Sequence, residues 1–256
     1  MKKLIAITRP VSATINQCEL TNLERIPIDL GRANMQHHAY EEALKSLGVE
    51  VLSLPEELSL PDAVFVEDVA VVLDECAILT RPGADSRRPE TESIAKALAP
   101  YRTLYPIKAP GRLDGGDVLV AGKRIWVGLS TRSNQSAIDQ MQACLGPYGY
   151  TVHAVPVSGC LHLKSAVTRL AEDTLLINPV WVDRANFPGM QFIEVHPSEP
   201  YAANILLVGD ALIYQPAYPQ TCARLEAAGL HPLLVDQSEL SKAEGALTCC
   251  SLIFEN

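Results

Sequence analysis

Cys249 and Cys250 stand side by side in an apolar run near the end of the chain, Gly245-Ala246-Leu247-Thr248-Cys249-Cys250-Ser251-Leu252-Ile253-Phe254. On a strand, adjacent side chains point to opposite faces, so one thiol would face a core and the other a cleft or solvent. A thiol facing a cleft can serve as a nucleophile. A buried strand that happens to carry two small apolar residues explains the pair just as simply, because free cysteine is among the most buried residue types. The pair has no CxxC partner or histidine motif that would hold zinc. A base comes from Gly159-Cys160-Leu161-His162-Leu163-Lys164-Ser165, where His162 lies in a short apolar alternation that reads as a strand. A lone histidine is more often a satisfied core or surface residue. A cysteine and a histidine distant in sequence and adjacent in space are nevertheless a standard nucleophile arrangement. Cys160, two residues from His162, is the rival thiol.

Carboxylates and arginines supply the rest of the chemistry. Pro61-Asp62-Ala63-Val64-Phe65-Val66-Glu67-Asp68 places three acids in or beside an apolar run, with Asp62, Val64 and Val66 on one face if the run is a strand. Paired carboxylates in apolar surroundings are costly unless a cation sits between them, and a guanidinium matches them in charge and in its planar fork of donors. A solvated strand end is the plain alternative. Arg81, Arg87 and Arg88 follow in a Pro/Gly loop, and Arg132 lies at a strand-to-helix junction in Gly128-Leu129-Ser130-Thr131-Arg132-Ser133-Asn134, a favourable place for an anion. In Leu113-Asp114-Gly115-Gly116-Asp117-Val118, two glycines between two acids let a backbone approach a ligand closely, unless this is an ordinary turn.

The elements that must position these groups repeat a theme. Ala70–Leu73 and Ala77–Thr80 flank Asp74-Glu75, Val118–Val120 and Ile125–Val127 flank Gly122-Lys123, and Asn204–Val208 and Ala211–Tyr214 flank Gly209-Asp210, a two-residue hairpin signal. A weaker unit runs through Val167 and Thr168, turns at Glu172-Asp173 and returns as Thr174–Ile177. Helical spacing with Gly or Pro stops marks Met35–Leu47, Glu92–Leu98, Asn134–Leu145 and Pro219–Ala228. Short apolar runs follow them at Val49–Leu52, Thr103–Tyr105, Tyr150–Val152 and Pro232–Val235. Hairpin, helix and strand thus recur at roughly 35–50 residues, the range of repeat architectures. Five ββαβ units arranged radially would enclose a central cleft; a plain mixed α/β sandwich fits the same periodicity.

The totals narrow the class. At 256 residues the chain has room for one large domain, 1–256, or two small ones, with an ample core and no low-complexity segment. A net charge of −9 argues against a nucleic-acid partner. No apolar run is long enough to span a membrane. The N-terminal apolar run ends at Thr8-Arg9-Pro10, too short for a signal peptide, and reads as a first strand. Seven cysteines without framework spacing imply reduced thiols and a cytoplasmic protein.

Taken together, PDAVFVEDVAVV, LTRPG with Ser86-Arg87-Arg88, LDGGDVL, GLSTRSNQ, LHLKS, YAAN and LTCCS resemble the dimethylarginine dimethylaminohydrolase family of the guanidine-modifying superfamily. The motifs run in order from residue 61 to the tail; residues 1–60 match more weakly, through Arg9 and Gln36–Tyr40. The resemblance implies a five-bladed α/β propeller of ββαβ units (the pentein fold) with the active site in its central cleft. It implies hydrolysis of Nω-methylated arginine to citrulline and methylamine or dimethylamine, through a covalent thiouronium on Cys249. His162 falls on the general acid/base and Asp114 on the acid thought to orient it, where relatives carry Asp or Glu. Glu67 and Asp68 fall on the guanidinium-binding carboxylates and Asp62 on a nearby acidic contact. Arg87 and Arg132 fall on the residues that hold the α-carboxylate, and Leu20 and Ala243 on positions whose carbonyls meet the α-amino group. The implied partner is a small guanidine. No metal or organic cofactor is called for; by analogy with relatives, the resemblance implies that zinc could bind the Cys249/His162 pair as an inhibitor. Oligomeric state is left open, a homodimer included. Two other functions compete: a related hydrolase acting on arginine or another guanidine, and a non-catalytic propeller used as a binding module.

Overall fold

A computed structural model describes residues 3–256. Five three-stranded sheets form the blades of a propeller, each built the same way. A short hairpin supplies an inner and a middle strand, and a crossover returns the chain as an outer strand parallel to the middle one. Ala70–Val72, Cys76–Leu79 and Thr103–Pro106 make one blade. Val118–Ala121, Arg124–Leu129 and Thr151–Pro156 make the next. Val167–Arg169, Thr174–Ile177 and Gln191–Glu194 follow, then Leu206–Val208, Ala211–Tyr214 and Leu233–Leu234. The fifth blade joins the two ends of the chain: Leu252–Glu255 pairs antiparallel with Leu4–Thr8, which pairs parallel with Glu50–Ser53. Closure of the ring by this last sheet protects strand edges that would otherwise stay unpaired.

The hairpins turn at glycines in the left-handed region, Gly122 at φ 57° and Gly209 at φ 58°, where a side chain would be strained. The crossovers are the helices Leu30–Ser46, Glu90–Leu98, Gln135–Leu145 and Pro219–Ala227. The unit read as weak has a single 3₁₀ turn, Arg184–Asn186, as its only helical turn between Thr174–Ile177 and Gln191–Glu194. The first helix starts at Leu30, earlier than the apolar spacing from Met35 suggested, because Asp29 caps it by accepting from the Arg32 N–H at 3.0 Å. Buried apolar residues fall into five clusters rather than one, as expected when each blade packs mainly against its neighbours. Among the described residues, no helix is long and apolar enough to cross a membrane.

The feature that matters for function lies at the start of the inner strands. Four of the five are entered through a short helical turn: Val66–Val69, Gly115–Asp117, Leu163–Ala166 and Thr248–Cys250. Two expectations are corrected here. The run from Asp62 is not a strand, because Ala63, Phe65 and Asp68 donate in succession to carbonyls three residues back. The tail is not a strand at the cysteines either. Cys249 N–H bonds to the Ala246 carbonyl at 3.2 Å, and the strand begins only at Leu252. A 3₁₀ turn still sends consecutive side chains about 120° apart, so the two thiols separate without strand alternation.

Candidate active site

Neighbouring residues on these turns divide between two cavities. Asp68, His162 and Cys249 line a cavity of about 310 Å³. Glu67, Lys164 and Thr248, one or two residues away, line a channel of about 770 Å³ walled by the inner strands. The propeller thus brings one chemical group from each of several blades to a common point. Consecutive residues of a 3₁₀ turn project about 120° apart, and the turns so aim adjacent side chains at different cavities.

His162 sits just before the Leu163–Ala166 turn in an extended conformation, not within a strand. Its Nε2 lies 3.0 Å from Asp114 Oδ2, and its Nδ1 lies 3.9 Å from Asp68 Oδ1. Asp114 is fully buried, and its other oxygen accepts the Gly83 N–H at 2.8 Å. The carboxylate is thereby fixed and in turn fixes the ring. Asp117, from the same LDGGD motif, was not singled out from the sequence and anchors the histidine from the far side. It accepts from Leu163 N–H at 2.9 Å and from the Ser130 and Ser133 hydroxyls at 2.6 Å each. The two glycines between these acids make room for the protein's own groups. A Cβ on Gly115 would lie 1.9 Å from the Glu67 carbonyl, and one on Gly116 would lie 2.6 Å from His162 Nδ1. They are needed so that three of the turns can meet.

Burial by itself disfavours a charged His162 ring. The charge of Asp68, the Asp114 hydrogen bond and the charge of Asp117 outweigh it and raise the pKa to about 9. The fold therefore favours the imidazolium. That stabilisation is complete below pH about 6.5, the unfolded value, and is lost as pH rises through about 9. The gap corresponds to about 3 kcal/mol. Urea titrations between pH 6 and pH 9.5 are expected to show the wild type losing about that much more stability than His162→Asn, and parallel curves would rule this assignment out.

Asp68 is pulled down to about 2. Burial opposes ionisation, but His162 and then Arg87 more than offset it, together with hydrogen bonds from Arg87 Nη1 at 2.6 Å and Gly116 N–H at 3.0 Å. Arg87, expected to hold a substrate carboxylate, is tied to neighbouring groups of the fold. It reaches the cavity wall, but its guanidinium also donates to Glu90 at 2.9 and 3.1 Å and to the Asp62 and Phe65 carbonyls. Burial raises Glu90 to about 7 despite that pairing. Arg132, on the opposite wall, donates to Thr21 Oγ1 at 3.1 Å and lies 3.5 Å from Asp114.

Glu67, expected to share the guanidinium with Asp68, lines the channel. Lys164 Nζ donates to one of its oxygens at 2.6 Å and Thr248 Oγ1 to the other at 2.8 Å, on the channel side. Burial raises its pKa in spite of Lys164. Thr248 is steadied by Asn204, which donates to its hydroxyl at 3.0 Å and accepts its N–H at 3.2 Å. Asn204 is the contribution of the blade whose inner strand is Leu206–Val208.

Of the residues singled out from the sequence, Asp62, Asp68, Arg87, Arg132, His162, Ala243 and Cys249 line the cavity. Asp114 stands behind His162. Leu20 is half-buried next to Glu19, which does line the cavity. Phe65 was quoted in a motif but given no role. Its ring forms a flat wall, and Gly245 leaves room for it, since a Cβ there would lie 2.3 Å from the ring. Cys249 is about nine-tenths buried, and burial first, then Glu67 and Asp68, push its thiol well above the usual range. Cys250 is fully buried with its sulfur 3.7 Å from Gln237 Oε1. The rival Cys160 lines an adjoining cavity of about 730 Å³ instead. All seven cysteines are free.

Asp68, Asp114 and His162 also bring three potential ligand atoms within 4.8 Å of one another, a spacing a cation could use. The ring nitrogen is already hydrogen-bonded to Asp114 and Asp68 is ion-paired with Arg87, so the cluster is arranged first to hold a proton.

A five-bladed α/β propeller with a cysteine, a histidine and buried carboxylates around one central cavity defines the pentein class of guanidine-modifying enzymes. Residues 8–185 match the family model described as N,N dimethylarginine dimethylhydrolase, eukaryotic. The chain is 41% identical over 249 residues to the N(G),N(G)-dimethylarginine dimethylaminohydrolase of Streptomyces coelicolor, covering 96% of this chain and 95% of that protein. It is 36% identical over 231 residues to the enzyme of the same name from Pseudomonas aeruginosa, covering 88% and 90%. The structure of DDAH from Pseudomonas aeruginosa, a cysteine-to-serine mutant complexed with citrulline, superposes with a TM-score of 0.94 at 34% identity over 99% of this chain and 100% of that one. The chain belongs to the dimethylarginine dimethylaminohydrolase family.

Proposed function

We propose that this chain, acting as one catalytic domain over residues 1–256, hydrolyses Nω-methylated arginine to citrulline and the corresponding methylamine, with Cys249 as nucleophile and His162 as general acid and base. The observation that carries this reading is the single cavity in which a thiol, a charged histidine and the ionised Asp68 meet, while the rival thiol faces elsewhere.

Each group has a physical reason for its role. A guanidinium is resonance-stabilised and a poor electrophile, so it must be held flat and its charge localised. Phe65 offers a face for the cation and Asp68 a carboxylate with lone pairs left over from Arg87 and Gly116. Asp62 faces the same cavity, and burial raises its pKa although Arg87 opposes this. Glu67 acts at one remove, by its field and by fixing Thr248 beside Cys249. Arg132 and the outer face of Arg87 are the cationic walls for the α-carboxylate, with Leu20 and Ala243 carbonyls for the α-amino group.

The protonation states set the order of steps. In the free protein the thiol keeps its proton and His162 is charged. A bound cation beside Asp68 offsets the negative field that holds the Cys249 pKa up, and the thiol proton is released to solvent. The thiolate adds to the guanidinium carbon and gives a neutral tetrahedral adduct. His162 protonates the leaving amine, which departs as the neutral amine, and a thiouronium remains. The now neutral ring takes a proton from water. The hydroxide adds to the same carbon, and the carbon–sulfur bond breaks as the new hydroxyl gives its proton to solvent, leaving citrulline and the thiolate. No residue of this sequence of steps requires a metal or organic cofactor.

The reading is tested with 2-chloroacetamidine, a small amidine that alkylates a thiol at a guanidinium site. Mass spectrometry is expected to find one label, on Cys249, blocked by excess dimethylarginine. A label on Cys160 or Cys250 would overturn the assignment. Arginine turned over faster than its methylated forms would move the substrate to unmethylated guanidines.

A further inference from the structure

One carboxylate at the edge of the cavity is fully engaged with backbone rather than with any charged group. From Thr21 to Pro27 every side chain is exposed, so apolar burial does not fix this segment, and polar ties must. Glu19 N–H donates to both Asp62 oxygens at 3.1 and 3.3 Å, and Arg25 bonds the Asn16 and Cys18 carbonyls at 2.6 Å each. The most concentrated tie comes from the other end of the chain. The Glu244 carboxylate accepts three consecutive amides, Thr21 at 2.8 Å, Asn22 at 2.6 Å and Leu23 at 3.0 Å. Glu244 stands between Ala243 and Gly245, both cavity walls, and its φ is 58°. Backbone in that region favours glycine. A glutamate there is explained by its side chain.

We propose that Glu244 is a positioning residue that sets recognition of the substrate's α-amino group. It locks the segment carrying Leu20 to the turn carrying Ala243, so that the two backbone carbonyls assigned to that group keep a fixed separation. The proposal rests on the methylarginine reading above. Glu244 does not touch the reacting carbon; its oxygens are spent on the three amides.

Glu244→Gly tests this directly, because it relieves the backbone while removing the latch. If Glu244 only shaped the turn, the glycine variant would be neutral in every assay. The expected result is an unchanged or higher Tm, a KM for Nω,Nω-dimethyl-L-arginine raised about tenfold, and a kcat within about threefold of wild type. The analogue lacking the α-amino group, 5-(Nω,Nω-dimethylguanidino)pentanoate, is expected to keep its KM. Glu244→Gln, which retains one acceptor oxygen, should fall between the two. An equal rise in KM for both substrates, or no rise for either, overturns the proposal. Hydrogen exchange at the Thr21, Asn22 and Leu23 amides provides a readout independent of turnover: protection in the wild type is expected to be lost in Glu244→Gly, and unchanged exchange overturns the latch. If the wild type does not hydrolyse dimethylarginine, the substrate reading has failed, and the exchange data alone decide the latch.

Discussion

Cys249→Ser is expected to lower citrulline formation from dimethylarginine by about 10⁴-fold or more, with the fold intact. A serine hydroxyl is far harder to ionise than a thiol, and the buried, negatively charged surroundings that raise the Cys249 pKa would hold a hydroxyl proton still more firmly. The substitution changes one atom in a cavity wall, so stability should change by no more than about 1 kcal/mol. Cys250→Ser is the control. That side chain is fully buried beside Gln237 and the Ala246 carbonyl, so the cost should appear in Tm and not in kcat. Steady-state kinetics and thermal denaturation on the two variants separate the roles. Undiminished turnover in Cys249→Ser would remove it as the nucleophile.

Much of the propeller could be read from the chain because its repeat is local. Hairpins with polar turns, amphipathic helices with Gly stops and short return strands carry their signals in nearest neighbours. The crossover without an α-helix left a weak signal for the same reason. The residues that meet at the centre were legible as types and motifs, but their division of labour was not. Glu67 and Asp68 are adjacent in sequence and indistinguishable by composition. Only the 3₁₀ turn Val66–Val69 sends one to Lys164 and Thr248 in the channel and the other to Arg87 and His162 at the cavity. Strand alternation assigned Cys249 and Cys250 to different environments by a rule that does not apply to a 3₁₀ turn. The separation holds for another geometric reason. Glu244 left no trace in any motif because its partners lie more than 220 residues away.

The central position of Asp68 makes Asp68→Asn the other large effect. Both oxygens of this carboxylate accept hydrogen bonds from fixed donors, Oδ2 from Arg87 Nη1 and Oδ1 from Gly116 N–H. An amide has only one acceptor oxygen, so in either orientation its NH₂ group points at a donor. The buried Arg87 keeps Glu90 as a partner but loses a charge at contact distance, for a cost on the order of 3 kcal/mol. Catalysis should suffer in two separable ways. The substrate guanidinium loses a carboxylate that lines the same cavity as the reacting thiol, which should lower kcat/KM by about 10²- to 10⁴-fold. His162 loses the charge that contributes most to holding its pKa up. Its titration should therefore move from about 9 toward its ordinary value, and the pH dependence of kcat should shift to lower pH with it. A merely structural Asp68 would cost stability and leave the profile in place. The pH profile of kcat, with NMR titration of the His162 ring in the same variant, distinguishes the two. A kcat/KM within tenfold of wild type and an unshifted His162 titration would show that the guanidinium and the histidine do not depend on this carboxylate.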